Sequence, residues 1–104
     1  MEVVMFSSKV EDFIFDLERS ARANSFRYLK LLEDHGNDLG FPRSRKLTND
    51  VYELRVKGDI AVRLLYTFQN GKAVVLHGFI KKTNKTPKHE LEVAISRLRY
   101  LQSI

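Results

Sequence analysis

A chain of 104 residues, 43% of them hydrophobic and including 7 Phe and 4 Tyr, is long enough for one domain, 1–104, with one real core. The absence of cysteine excludes disulfides and thiolate metal sites, and no apolar run approaches the roughly 20 residues that a membrane helix needs. The net charge of +5 is uneven: residues 1–40 hold 5 Lys/Arg against 8 Asp/Glu, residues 41–104 hold 13 against 5, and a basic half of this kind suits a polyanion.

Met1–Phe6 carries neither a charged segment nor a long apolar one, so no signal peptide is read and a cytoplasmic location is expected. Its apolar residues suggest a first or edge strand. Ser8-Lys-Val-Glu11 fits a capping box, in which hydroxyl and carboxylate satisfy free backbone donors. Val10, Phe13, Ile14, Leu17 and Ala21 then recur at helical spacing. A second helix is expected from about Ser25 to His35, stopped by Gly36. Asn37–Asn49 reads as a connecting loop whose cluster Arg43-Ser-Arg45-Lys46 leads into the sheet.

Three strands follow. Tyr52, Leu54 and Val56 share one face and Val51, Glu53 and Arg55 the other, because side chains alternate along a strand. Lys57-Gly58-Asp59 is expected to be a short turn, with Gly58 free to take positive φ. Ile60, Val62, Leu64, Tyr66 and Phe68 then alternate with Ala61, Arg63, Leu65 and Thr67. Asn70-Gly71 is a strong hairpin signal. Val74–Ile80 is apolar on both faces, as in a central strand. Thr86-Pro87 reads as N-cap and first residue of a last helix bearing Leu91, Ala94, Ile95, Leu98 and Leu101 on one side. The expected fold is α+β, in the order β-α-α-β-β-β-α, an antiparallel sheet packed on an amino-terminal helical hairpin, with the last helix on the sheet edge or its open face.

The chemistry-bearing residues are mostly basic. His35, His77 and His89 have no i,i+4 partner and no surrounding acids; His77 reads as a satisfied, half-buried residue, and Glu90 and Glu92 as surface charge. No metal site and no cofactor are expected, and nucleophile and nucleotide-cradling motifs are missing. Arg55 and Arg63 lie on adjacent strands and point the same way. A purely structural sheet gains little from such a pair unless Glu53 or Asp59 neutralises it. A phosphate clamp gains from it, since guanidinium forks match two oxygens. Lys81, Lys82 and Lys85 follow, just before a helix N-terminus. Such a group could cleave RNA through its own 2′-OH, arginines stabilising the phosphorane and a lysine of lowered pKa taking the proton.

Tyr52-Glu-Leu-Arg55, Val62-Arg63-Leu-Leu-Tyr66 and His77-Gly-Phe-Ile-Lys-Lys-Thr-Asn-Lys-Thr-Pro87, followed by Glu90 and Ala94, resemble the RelE/ParE superfamily of toxins, and within it the phage-derived, HigB-like branch. The resemblance is carried by residues 47–101. It implies a RelE-like fold and the toxin of a type II toxin–antitoxin pair that cuts mRNA on the ribosome without metal. It places Arg55, Arg63, Lys82 and Lys81 at basic active positions. Lys85, Lys57, Lys46, Arg45 and His89 are expected to hold RNA. A helix-turn-helix antitoxin, the ribosome and mRNA are the expected partners; DNA is met only through the antitoxin complex, and no membrane is involved. One departure is visible: some RelE-like proteins begin the last helix with a tyrosine that stacks on a base, whereas this chain has Lys88-His89-Glu90-Leu91. That keeps open gyrase inhibition of the ParE kind, or an inactive prophage-derived protein that only binds its antitoxin.

Overall fold

The structure, a computed structural model, describes residues 1–104. The elements are β1 (Glu2–Met5), α1 (Ser8–Phe15), α2 (Arg19–His35), a single 3-10 turn (Gly36–Asp38), β2 (Ser44–Lys46), β3 (Tyr52–Val56), β4 (Val62–Gln69), β5 (Lys72–Ile80) and α3 (Lys88–Ser103). The strands form one mixed sheet in the order β1-β5-β4-β3-β2. β1 runs parallel to β5, and every other pairing is antiparallel. The α+β fold and the meander of β3, β4 and β5 agree with the sequence. No helix is long and apolar enough to cross a membrane.

Both faces of the sheet are covered. Alternation sends Leu54, Val56, Val62, Leu64, Tyr66, Ala73 and Val75 to one side, where they pack on Val10, Ile14, Leu17, Ala21, Leu29 and Leu32 of the amino-terminal helices. Each large aliphatic side chain buried there contributes about 1.5–3 kcal/mol. The opposite face packs Leu65, Val74, Leu76 and Phe79 on Ala94 and Leu98 of α3. The last helix therefore takes the open face, not the edge.

Several local expectations shift. α1 ends at Phe15 and α2 begins at Arg19, so the break falls at Asp16–Glu18, and the second helix is longer than its expected Ser25 start. Leu17 turns into the core there, and Glu18 caps α2, accepting from the backbone N–H of Ser20 and of Ala21. The capping box does not form. Ser8 is already helical, and the capping residue, Ser7, makes no side-chain cap bond. Gly36 does stop α2, at φ +53°. The expected loop contains the short strand β2, which pairs Arg45 with Glu53 and Lys46 with Tyr52. Asn70 and Gly71 have φ of +53° and +75°, the left-handed pair that a two-residue hairpin needs. Gly58 is not at positive φ; a Cβ there would lie 2.7 Å from the Asn24 amide, so its role is close approach. Pro87, not Thr86, occupies the cap position of α3, because the Thr86 hydroxyl is engaged elsewhere.

One irregularity sets the side on which several polar groups lie. Between β4 and β5 the register passes from Leu65↔His77 to Tyr66↔Val75, leaving Leu76 as an extra residue. A bulge of one residue reverses the alternation beyond it. His77 and Phe79, and Lys81 just past the strand end, are thereby turned to the α3 face, the side that carries Arg63.

Candidate RNA-directed site

The site is built on the α3 face where α3 does not reach. Arg55 and Arg63 are direct partners across β3 and β4. They do not stand unpaired in solvent. Between them lies Glu53, whose side chain is wholly buried. Its Oε1 is 3.9 Å from Arg55 Nε, 3.9 Å from Arg63 Nε and 3.4 Å from Arg45 Nη2. Its Oε2 accepts from the Thr86 hydroxyl. Three guanidiniums thus share one carboxylate, so two positive charges remain in excess.

The arginines are also tied to backbone. Arg63 Nη1 donates to Val62 O at 3.1 Å and Arg55 Nη1 to Pro42 O at 3.4 Å. Nη2 of each makes no bond within the chain. Arg63 is buried and Arg55 half-buried. Burial pushes the Arg63 guanidinium below its ordinary value; Glu53 opposes this, and Arg55 and Arg45 add to it. Half-buried Lys81 continues the β4–β5 ladder, its N–H donating to Ala61 O at 2.7 Å. Burial lowers its ammonium from the ordinary 10.5, Arg63 contributes next, Glu53 opposes, and Arg55 and Arg45 lower it further. Lys81 thus belongs electrostatically to the arginine group.

The other basic residues do not all converge. Lys82 and Lys85 are exposed on the strap that runs from β5 to α3, which Thr86 pins to Glu53. Lys46 turns away, its ammonium 5.9 Å from the Tyr52 ring on the opposite face. Lys57 lines a separate recess with Tyr28, Pro42 and Arg43. His89 is largely exposed, 3.3 Å from the Glu90 carboxylate. Glu90 is not a surface charge: it is half-buried and holds His77 Nε2 at 2.8 Å. His77 is, as expected, half-buried and partnered, although by an acid that the sequence reading left in solvent.

Sequence reasoning named Glu53 only as a possible neutraliser and missed its place at the centre. The signal was present, since Glu53 shares a face with Arg55 by simple alternation. It also passed over Phe41. That ring is 73% exposed, with the Arg55 guanidinium carbon 5.3 Å from its centroid.

No curated protein matches the chain. The family model described as "Phage derived protein Gp49-like" matches residues 12–99, a stretch that includes Glu53, all three arginines around it and Lys81. The chain belongs to the family of phage-derived Gp49-like proteins, a RelE-like group of toxin type.

Proposed function

We propose that the protein is the toxin of a type II toxin–antitoxin pair, of the HigB-like kind, and that it cuts mRNA on the ribosome. The observation that carries this reading is the convergence of Arg45, Arg55 and Arg63 on one buried carboxylate, with two guanidinium ends uncommitted, and with Lys81 following β5 alongside the start of β4. In the reaction the RNA 2′-OH attacks the adjacent phosphorus. A 2′-O–P bond forms and the P–O5′ bond breaks, giving a 2′,3′-cyclic phosphate and a 5′-OH. The neutral amine of Lys81 takes the 2′ proton, and the Lys82 ammonium supplies one to the leaving oxygen. Arg55 and Arg63 stabilise charge on the phosphorane through their free Nη2 groups. As proposed, no metal takes part, and away from the ribosome naked RNA is cut weakly or not at all.

Arg45, beside Glu53, together with Lys85 on the strap and His89 in the first turn of α3, holds RNA. Lys57 and Lys46, which lie apart from the arginine group, serve as outlying phosphate or rRNA contacts. These contacts weaken as salt rises. The partner that silences the protein is an antitoxin of helix-turn-helix type, and the place of action is the cytoplasm.

Induction of the parent in bacteria should arrest growth, with primer extension showing cuts inside translated codons. Arg63→Ala should permit growth and leave mRNA whole. An Arg63→Ala protein that is as toxic and cuts as well as the parent sinks the assignment. A second reading has two observations in its favour: Glu53 partly neutralises the arginines, and α3 opens without an aromatic residue. A gyrase inhibitor needs no cleavage site. It would induce a DNA-damage response with intact mRNA. A protein that arrests nothing would be a remnant that only binds its antitoxin.

A further inference from the structure

A single exposed apolar side chain is ordinary on a protein surface. Phe41 differs in its company. One face of its ring lies against Arg55, and the ring forms part of a pocket of about 320 Å³ shared with Leu31, Leu39, His35, Asp38 and Arg43. The loop that presents it is held in place. Arg43 N–H and Ser44 N–H both donate to Gly40 O at 3.1 Å, Arg55 N–H donates to Arg43 O at 2.8 Å, and Arg55 Nη1 reaches Pro42 O. The backbone that presents the ring is therefore set before any ligand arrives, which lowers the entropy lost on binding.

An aromatic face beside guanidiniums, with polar groups at the pocket wall, is the chemistry that receives an unstacked base of a single strand. The pocket volume lies at the lower end of small-ligand sites, roughly 300 Å³ upward. We infer that Phe41 and the pocket behind it form a nucleobase subsite, in which a base of single-stranded RNA stacks on the Phe41 ring, Arg43 holds its phosphate, and His35 and Asp38 meet its polar edge. Arg55 links the two places, since it touches Phe41 on one side and stands opposite Arg63 on the other. The strand thus lies with one nucleotide on Phe41 and a neighbouring phosphate at Arg55 and Arg63. The inference rests on the RNA-directed reading above. It supplies from the loop before β2 the aromatic platform that the start of α3 lacks.

The test uses the absence of tryptophan from the chain. Phe41→Trp introduces a sole indole, whose emission should be quenched on titration with a short single-stranded RNA, and whose affinity should match the parent's. By fluorescence anisotropy, Phe41→Ala should bind the same labelled RNA about tenfold more weakly. Duplex RNA, which offers no free base, should lose little from that substitution. Because Phe41 is exposed, Phe41→Ala should fold like the parent, which circular dichroism checks. The inference is overturned if Phe41→Ala binds within about twofold of the parent. It is equally overturned if the indole is unmoved at saturation, or if the parent binds no single-stranded RNA at low salt. The nuclease reading is judged separately, by cutting of translated mRNA with parent and Arg63→Ala. An unchanged affinity alongside lost antitoxin binding would mark Phe41 as a protein contact instead.

Discussion

The Glu53 carboxylate stands 3.9 Å from Arg63 Nε, and the two come from strands that lie side by side in the middle of the sheet. Neither the Arg63 nor the Arg55 Nε makes a hydrogen bond, so the contact is one of charge. A buried pair of this kind is weak evidence of net stability, but breaking it from one side leaves an uncompensated cation. Glu53→Gln keeps the volume and removes the charge. It should cost about 3 kcal/mol in urea unfolding, the low end for such a pair, because Arg45 and Arg55 keep access to solvent. Inorganic phosphate should recover part of that loss in the variant and do less for the parent. Equal stability of variant and parent would mean that Glu53 does not hold the arginines together.

Lys81 should give the proposed cleavage its pH dependence. Burial, and then Arg63, lower its ammonium from the ordinary 10.5. The proton acceptor is the neutral amine, so the rate should rise with pH and level off below 10.5. Lys81→Arg should abolish the rise along with most of the activity. The sign for stability runs the same way. A lysine whose folded pKa lies below its unfolded one binds its proton more weakly when folded. Stability therefore rises with pH across the window just beneath 10.5. A single-turnover pH profile that is flat in the parent would remove Lys81 from the proton transfer.

Gly78 is a packing position. A Cβ there would meet the Phe13 ring at 2.5 and 2.6 Å and the Leu64 Cδ2 at 3.0 Å. Gly78→Ala should cost about 1–3 kcal/mol, as overfilled cores do. Gly78→Ala combined with Phe13→Leu should recover part of it, since the smaller side chain opens space. A double variant no better than Gly78→Ala alone would point to backbone strain, not to the ring.

The buried Tyr66 hydroxyl and Ser44 hydroxyl lie 2.5 Å apart and join β4 to β2. Tyr66→Phe leaves Ser44 without that partner and should lower stability by about 1 kcal/mol. Amide exchange of Ser44–Lys46 should quicken more than that of β4. Unchanged protection there would show that β2 is held by its backbone pairing alone.

What the sequence made legible is what local chemistry dictates. Asn70 and Gly71 announce their turn because few other residues tolerate positive φ, and strict alternation from Tyr52 to Phe68 puts Arg55 and Arg63 on one side. The break before Arg19 was hidden because Leu17 fits the helical period as well as the turn into the core. β2 was hidden because Ser44, Arg45 and Lys46 show no alternation, and its pairing comes from β3. The bulge at Leu76 was invisible for another reason. Apolar residues on both sides of it give no phase to read, although the phase is what brings Lys81 to Arg63. The site is thus half local and half tertiary: Arg55 and Arg63 could be paired by counting, whereas Glu53, Thr86 and Phe41 acquire their meaning from elements that meet only in the fold.

The parallel pairing of β1 with β5 sets Glu2 against Lys72. β1 is therefore seated against a strand from which two helices and three other strands separate it along the chain. Closing so long a span carries an entropic cost that later contacts must offset, and it slows folding relative to local pairings. A nascent chain cannot complete the sheet until β5 has left the ribosome, so β1 waits without its partner while the strands that carry the arginines are made.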